Sequence, residues 1–149
     1  MPDTKFGEVT LDAHNRYRKQ HGVQELNWSD DLASVAQRWA DGISERGYLQ
    51  NSDNAVIGEN IFMSDEDLPG DAISELWYNE GECYDYDNPG WNKDCRHFTQ
   101  MIWRTSTEIG VGKAKMKNSN RYIVVVNYKP AGNGNLPREF KKNVQPVTQ

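Results

Sequence analysis

The sequence predicts an α+β domain in which helices cover a small antiparallel sheet, and three observations carry the prediction. Apolar residues recur at helical spacing through the first half of the chain. The two best strand segments, Ile109 to Lys115 and Tyr122 to Tyr128, flank the turn-rich Lys117-Asn118-Ser119-Asn120. The order is helices first, then mixed elements, then a hairpin, which is an α+β order.

The first helix is expected from Phe6 to His21, with Phe6, Val9, Ala13 and Tyr17 as its apolar positions and Gly22 as its stop. A stronger helix starts at Ser29: Leu32, Val35, Ala36, Trp39 and Ile43 share a face, and Gly47 follows its end. Asn27-Trp28-Ser29 is formally a glycosylation sequon, and an N-cap serine behind a staple-like tryptophan accounts for the same residues. Ile57 to Met63 reads as a short strand. A third helix is expected from about Asp71 to Glu82, with Ile73, Leu76, Trp77 and Glu80 on related faces. An aromatic loop, Tyr84 to Trp91, bends at Asn88-Pro89-Gly90. A short helical stretch runs from His97 to Trp103, the Trp39 and Trp103 rings are expected in the core, and residues from about 134 read as a tail.

Composition narrows the function classes. The 149 residues suit one domain with a single core. The mean hydropathy of −0.88 does not mean disorder, because sixteen aromatic residues bury large areas per side chain. A net charge of −5 argues against nucleic-acid binding, which needs a cationic footprint. No run approaches eighteen apolar residues. The start, Met1-Pro2-Asp3-Thr4, has no basic-then-apolar leader and no glycine for myristoylation. From the residues alone an intracellular location and an extracellular one, if a leader has been removed, both stay open. Cys83 and Cys95 are too few for a disulfide scaffold and wrongly spaced for a zinc clip. Oxidised, they would close a short loop worth roughly 2–3 kcal/mol; reduced, they are two thiols.

Arg96-His97-Phe98-Thr99-Gln100-Met101-Ile102-Trp103-Arg104-Thr105-Ser106 resembles the first signature of the CAP superfamily, the cysteine-rich secretory, antigen 5 and pathogenesis-related proteins. Val124 to Asn133 resembles the second. Ala13-His14-Asn15 with Arg18, Gly58-Glu59-Asn60 and Trp77-Tyr78-Asn79-Glu80 match further family positions in order. The resemblance implies an α-β-α sandwich with helices on both faces of the sheet. Val126 stands where secreted members carry a cysteine, so the chain is more similar to the intracellular branch, and the resemblance favours an intracellular, membrane-peripheral location. The resemblance also implies a central tetrad of two histidines and two glutamates, onto which Glu59, Glu80 and His97 fall. Asn51 stands in place of the remaining histidine.

One imidazole with two carboxylates is a poor zinc or copper set, and an asparagine oxygen adds little, so His97 is only a weak metal ligand and no cofactor is expected. Glu59 and Glu80 better suit the task of orienting His97 within a buried polar network. A protease would need a nucleophile beside a base or a metal with an open position, and Ser52, Ser64, Thr99 and Cys95 sit in no nucleophile motif. In the family, a loop resembling Tyr84, Tyr86 and Trp91 is the caveolin-type motif associated with sterol. Rigid rings with wet polar edges suit a flat apolar ligand, although the same rings would also pack onto the helix beneath them. Three functions follow: a non-enzymatic carrier of sterol or fatty acid, at a membrane surface if peripheral; a module for a protein partner or homodimer; and a hydrolase centred on His97. The basic residues Arg138, Lys141 and Lys142 read as part of a solvated tail.

Overall fold

The computed structural model describes residues 4–52, 54–134 and 136–148; the Met1-Pro2-Asp3 start read above lies outside them. Its elements run α1 (Thr4–Gln20), β1 (Asn27–Trp28), α2 (Asp30–Arg46), β2 (Gly58–Ser64), α3 (Gly70–Asn79), a 3-10 turn (Glu80–Cys83), α4 (Arg96–Met101), β3 (Glu108–Lys115), β4 (Tyr122–Lys129) and α5 (Pro137–Asn143). The sheet order is β1-β3-β4-β2. Three strands pair antiparallel, but β1 runs parallel to β3, with Trp28 opposite Ile109, so the sheet is mixed rather than antiparallel throughout. The extra pair arises where the chain lies along β3 just before it turns into α2.

Helix α2 has the ends its sequence asks for. The Ser29 hydroxyl accepts from the Leu32 N–H, and Gly47 closes the helix in the left-handed conformation at φ 87°. Its apolar stripe, Ala36, Ala40 and Ile43, packs on Ile61, Ile123 and Val125 from one face of the sheet. The approach is very close: a Cβ on Gly110 would lie 2.1 Å from the Ala33 nitrogen, and one on Gly112 would lie 2.4 Å from that of Gln37. The opposite face carries Ile109, Val111, Val124, Val126 and Tyr128, covered by Phe6, Ile73, Trp77, Phe98, Met101 and Trp103 from α1, α3, α4 and the residues after α4. Alternation along the strands assigns the faces: Ile123, Val125 and Asn127 point one way, and Val124, Val126 and Tyr128 the other.

Two expectations are corrected. The third helix does not continue to Glu82. It tightens into the 3-10 turn at Glu80, because the Phe98 ring occupies the place where a Gly81 Cβ would stand, 2.6 Å away. The carboxy-terminal segment is not simply a tail: Pro137 opens α5, and Phe140 and Val144 enter the core. Arg138, Lys141 and Lys142 remain exposed. Asn143 then accepts the Thr105 N–H through Oδ1, and the Gln145 carbonyl meets His21 Nδ1 at 2.6 Å.

Arg18 ties α1 to the end of α4. It is fully buried, and its guanidinium donates to the carbonyls of Gln24, Met101, Trp103 and Ser106 at 2.8–3.0 Å. No carboxylate faces it among the described residues, and burial lowers it to about 10.

Candidate functional site

His97 stands at the start of α4, a six-residue helix whose N-cap, Cys95, makes no side-chain cap bond. Glu80 supplies the cap from across the aromatic loop. Its Oε1 accepts the backbone N–H groups of His97 and Phe98 at 3.1 and 3.4 Å, and its Oε2 accepts from His97 Nδ1 at 2.8 Å. A carboxylate only accepts, so Nδ1 carries the proton and Nε2 keeps its lone pair. The Trp77 ring, inclined by 13°, stacks on the imidazole with centroids 5.3 Å apart. Orientation and tautomer of His97 are set by α3, through Trp77, and by the 3-10 turn that follows it, through Glu80.

Glu59 takes no part in this. Its neighbour Asn60 points to the α4 side, donating to the His97 carbonyl and to the Tyr128 hydroxyl at 3.2 Å each. By alternation, Glu59 projects from the other face, where its Oε1 accepts the Ser52 N–H at 2.9 Å. The four tetrad positions are thus divided by the edge strand β2: Glu80 with His97 on one side, Glu59 beside the 49–57 loop on the other. Asn51 is exposed on that loop. A cleft of about 320 Å³ at the strand edge touches Asn51, Glu59, His97, Arg96 and Trp91. Its far wall is the 131–133 turn, held by Gln100 Oε1 accepting the Gly132 N–H at 2.9 Å and by Asn133, at φ 54°, accepting the Thr99 hydroxyl at 2.6 Å.

The donor set does not fit zinc. One imidazole nitrogen is free, Glu59 is held by Ser52, and an amide stands in place of the second imidazole. Among the described residues no group of three His, Cys, Asp or Glu side chains is arranged to hold a metal ion.

The aromatic loop does not present three rings together. Tyr84 is buried and packs on Tyr86 and Phe98. Tyr86 is half-buried, and burial pushes its hydroxyl up to about 12. Trp91 is 58% exposed, and its ring borders both the cleft and an adjoining groove of about 530 Å³ formed with Tyr84, Asp85, Pro89 and Lys93. Cys83, exposed, and Cys95, buried, are both free thiols, so the bridge considered above is not formed. Burial pushes Cys95 up to about 11, which leaves it protonated at neutral pH.

Sequence reasoning passed over a buried chain that reaches the site from behind. His14 Nδ1 faces the Thr10 carbonyl at 3.0 Å, so it donates there, and Nε2 accepts from the Tyr128 hydroxyl at 2.6 Å. Tyr128 in turn accepts from Asn60, which also holds the His97 carbonyl. Burial holds His14 down to about 3. The available signal was polar identity on an otherwise inward face: Thr10, His14 and Arg18 recur every fourth residue on α1.

Comparison with known proteins gives a consistent picture. The family model for the cysteine-rich secretory protein (CAP) family matches residues 11–128. The human Golgi-associated plant pathogenesis-related protein 1 is 33% identical over 145 residues, covering 95% of this chain and 94% of its own. Pathogenesis-related protein 1 of Arabidopsis thaliana is 37% identical over 123 residues, covering 83% and 75%. Among solved structures, the venom allergen-like protein 4 of Schistosoma mansoni superposes with a TM-score of 0.74 at 22% identity, covering 97% of this chain and 96% of that one.

Proposed function

The chain belongs to the CAP family of cysteine-rich secretory proteins, and from that premise we propose that it is a non-enzymatic lipid-binding domain, holding a sterol or fatty acid against Trp91. The observation that carries the reading is the indole of Trp91, exposed between two concavities while Tyr84 and Tyr86 of the same loop are packed against the core. A rigid ring in that position can cover a flat apolar ligand, and Asp85 and Asp87 keep the loop hydrated when it is empty. Leu49 and Val56, 47% and 62% exposed on the loop that leads into the cleft, add apolar surface.

The polar groups support positioning rather than catalysis. Glu80 holds His97, but no nucleophile is held against the free Nε2 among the described residues; the Thr99 hydroxyl donates to Asn133 Oδ1 at 2.6 Å instead. Titration with a fluorescent sterol tests the reading. Loss of roughly 100 Å² of ring contact in Trp91→Ala costs about 2.5 kcal/mol, between about tenfold and a hundredfold in affinity. Saturable binding weakened by that much, and indifferent to His97→Ala and to added zinc, is the expected result. Equal binding by the variant, or none by the parent, would sink it. In the second case Leu49 and Val56 would become the surface to test for a protein partner or a homodimer.

A further inference from the structure

A second pocket lies on the face of β2 turned away from His97, adjoining the cleft at Asn54, Ile57 and Glu59. Glu59 and Asn127 are directly opposed in the β2–β4 ladder, so their side chains leave the same face of the sheet, the one covered by α2. There Val35, Arg38 and Trp39 of α2, with Ile57 and Ser52 from the loop, wall a pocket of about 280 Å³. The Ser52 N–H takes Glu59 Oε1. Glu59 Oε2 and Asn127 Oδ1 are sealed from solvent and meet no donor among the described residues, and Asn127 as a whole is 1% exposed.

Buried acceptors in folded proteins are almost always matched, and one of these carries negative charge. The partner they call for is a cation with several N–H groups. A hard metal ion is a poor match, because it needs six or more oxygens and the donors here are two. The walls favour an organic cation: Trp39, Val35 and Ile57 offer apolar and π surface to a short carbon skeleton. Arg38 adds an opposite demand. It is exposed beside the acceptors with no ion pair among the described residues, so the complementary ligand carries an anionic group as well. We propose that this pocket binds a small zwitterion, its primary ammonium on Glu59 and Asn127 and its anionic group on Arg38. The site does not depend on Trp91 or on sterol binding.

The test is a nuclear magnetic resonance titration of the full chain with O-phosphoethanolamine, following the Asn127 side-chain amide and the Ser52 backbone amide. Phosphocholine, whose quaternary nitrogen has no N–H, is titrated in parallel. Saturable shifts with the first compound and none with the second are expected. Glu59→Gln and Arg38→Ala should each weaken binding by about tenfold or more, the worth of one charge-assisted hydrogen bond, while Trp91→Ala leaves it unchanged. If Glu59→Gln fails to fold, the exposed Arg38→Ala carries the comparison. Sedimentation with phosphatidylethanolamine vesicles separates the sources: binding to vesicles and free compound assigns the zwitterion to a lipid headgroup, and binding to the free compound alone assigns it to a soluble molecule. The proposal is overturned by equal shifts with phosphocholine, by no saturation at millimolar ligand, or by through-bond coupling showing that Asn127 already donates its amide to Glu59.

Discussion

Replacing Arg18 with methionine tests whether a buried cation without a counter-ion holds this fold together. The change keeps an unbranched stem as far as the Nε position and removes four donors. The Trp103 carbonyl keeps the Ser106 N–H at 3.2 Å and Gln24 is exposed to water, which leaves the buried carbonyls of Met101 and Ser106 unmatched. At about 2 kcal/mol for each buried acceptor that is about 4 kcal/mol. Relief of the buried charge works in the other direction. Its displacement from 12.5 to about 10 corresponds to about 3 kcal/mol. The net loss is near 1 kcal/mol, or about 3 °C in Tm for a domain of this size. Urea unfolding followed by tryptophan fluorescence, together with a thermal melt, measures it directly. Arg18→Lys, which keeps the charge but not the fork of donors, should fall between parent and methionine. A methionine variant as stable as the parent would refute the reasoning, because it would mean that desolvating the guanidinium costs as much as matching the carbonyls returns.

Four further outcomes follow from the same structure. His14 is held at about 3 against 6.5 when unfolded, so the unfolded chain binds the extra proton first. Its contribution is present above pH 6.5 and is lost as pH falls towards 3, at a slope approaching about 1.4 kcal/mol per pH unit; the difference in urea stability between parent and His14→Gln should shrink across that range. Gly110→Ala forces a Cβ onto the backbone of α2 and should cost about 3 kcal/mol or more, seen as a lower urea midpoint without a change in slope. Glu80→Gln removes the charge and one acceptor from the start of α4, a loss of about 1–2 kcal/mol, and the slowly exchanging His97 Nδ1–H resonance should disappear with it. Cys95, buried and protonated, should resist alkylation by iodoacetamide at neutral pH while Cys83 reacts, a difference read by mass spectrometry.

The elements that announce themselves locally were legible in the sequence. Helix α2 is bracketed by a serine cap and a left-handed glycine, and the β3–β4 hairpin by a polar turn, so both were readable without knowledge of their neighbours. Boundaries set by tertiary contact were not. The early end of α3 depends on the Phe98 ring standing over Gly81, some seventeen residues away. Helix α5 had local marks, Pro137 at its start and Phe140 with Val144 one turn apart, but its basic residues read as solvation. The site was legible residue by residue and not as an assembly. Alternation alone shows that Glu59 and Asn60 point opposite ways; which of those faces α4 would cover is a property of the packed layers. The loop from Tyr84 to Trp91 has no period, so nothing in its spacing could separate two packed rings from one exposed one.

The contact of α2 with Gly110 and Gly112 has a bearing on evolution as well as on stability. With helix backbone resting on strand backbone at Gly110 and Gly112, there is no space between α2 and β3, and a molecule cannot be accommodated over that strand by exchanging core side chains. Concavities are left to the perimeter, where β2 is an open edge and the 49–57, 84–94 and 131–133 loops end. Binding preference can therefore drift through loop substitutions while the helix–sheet frame stays untouched, and two lineages sharing this frame need share nothing in what they hold at its rim.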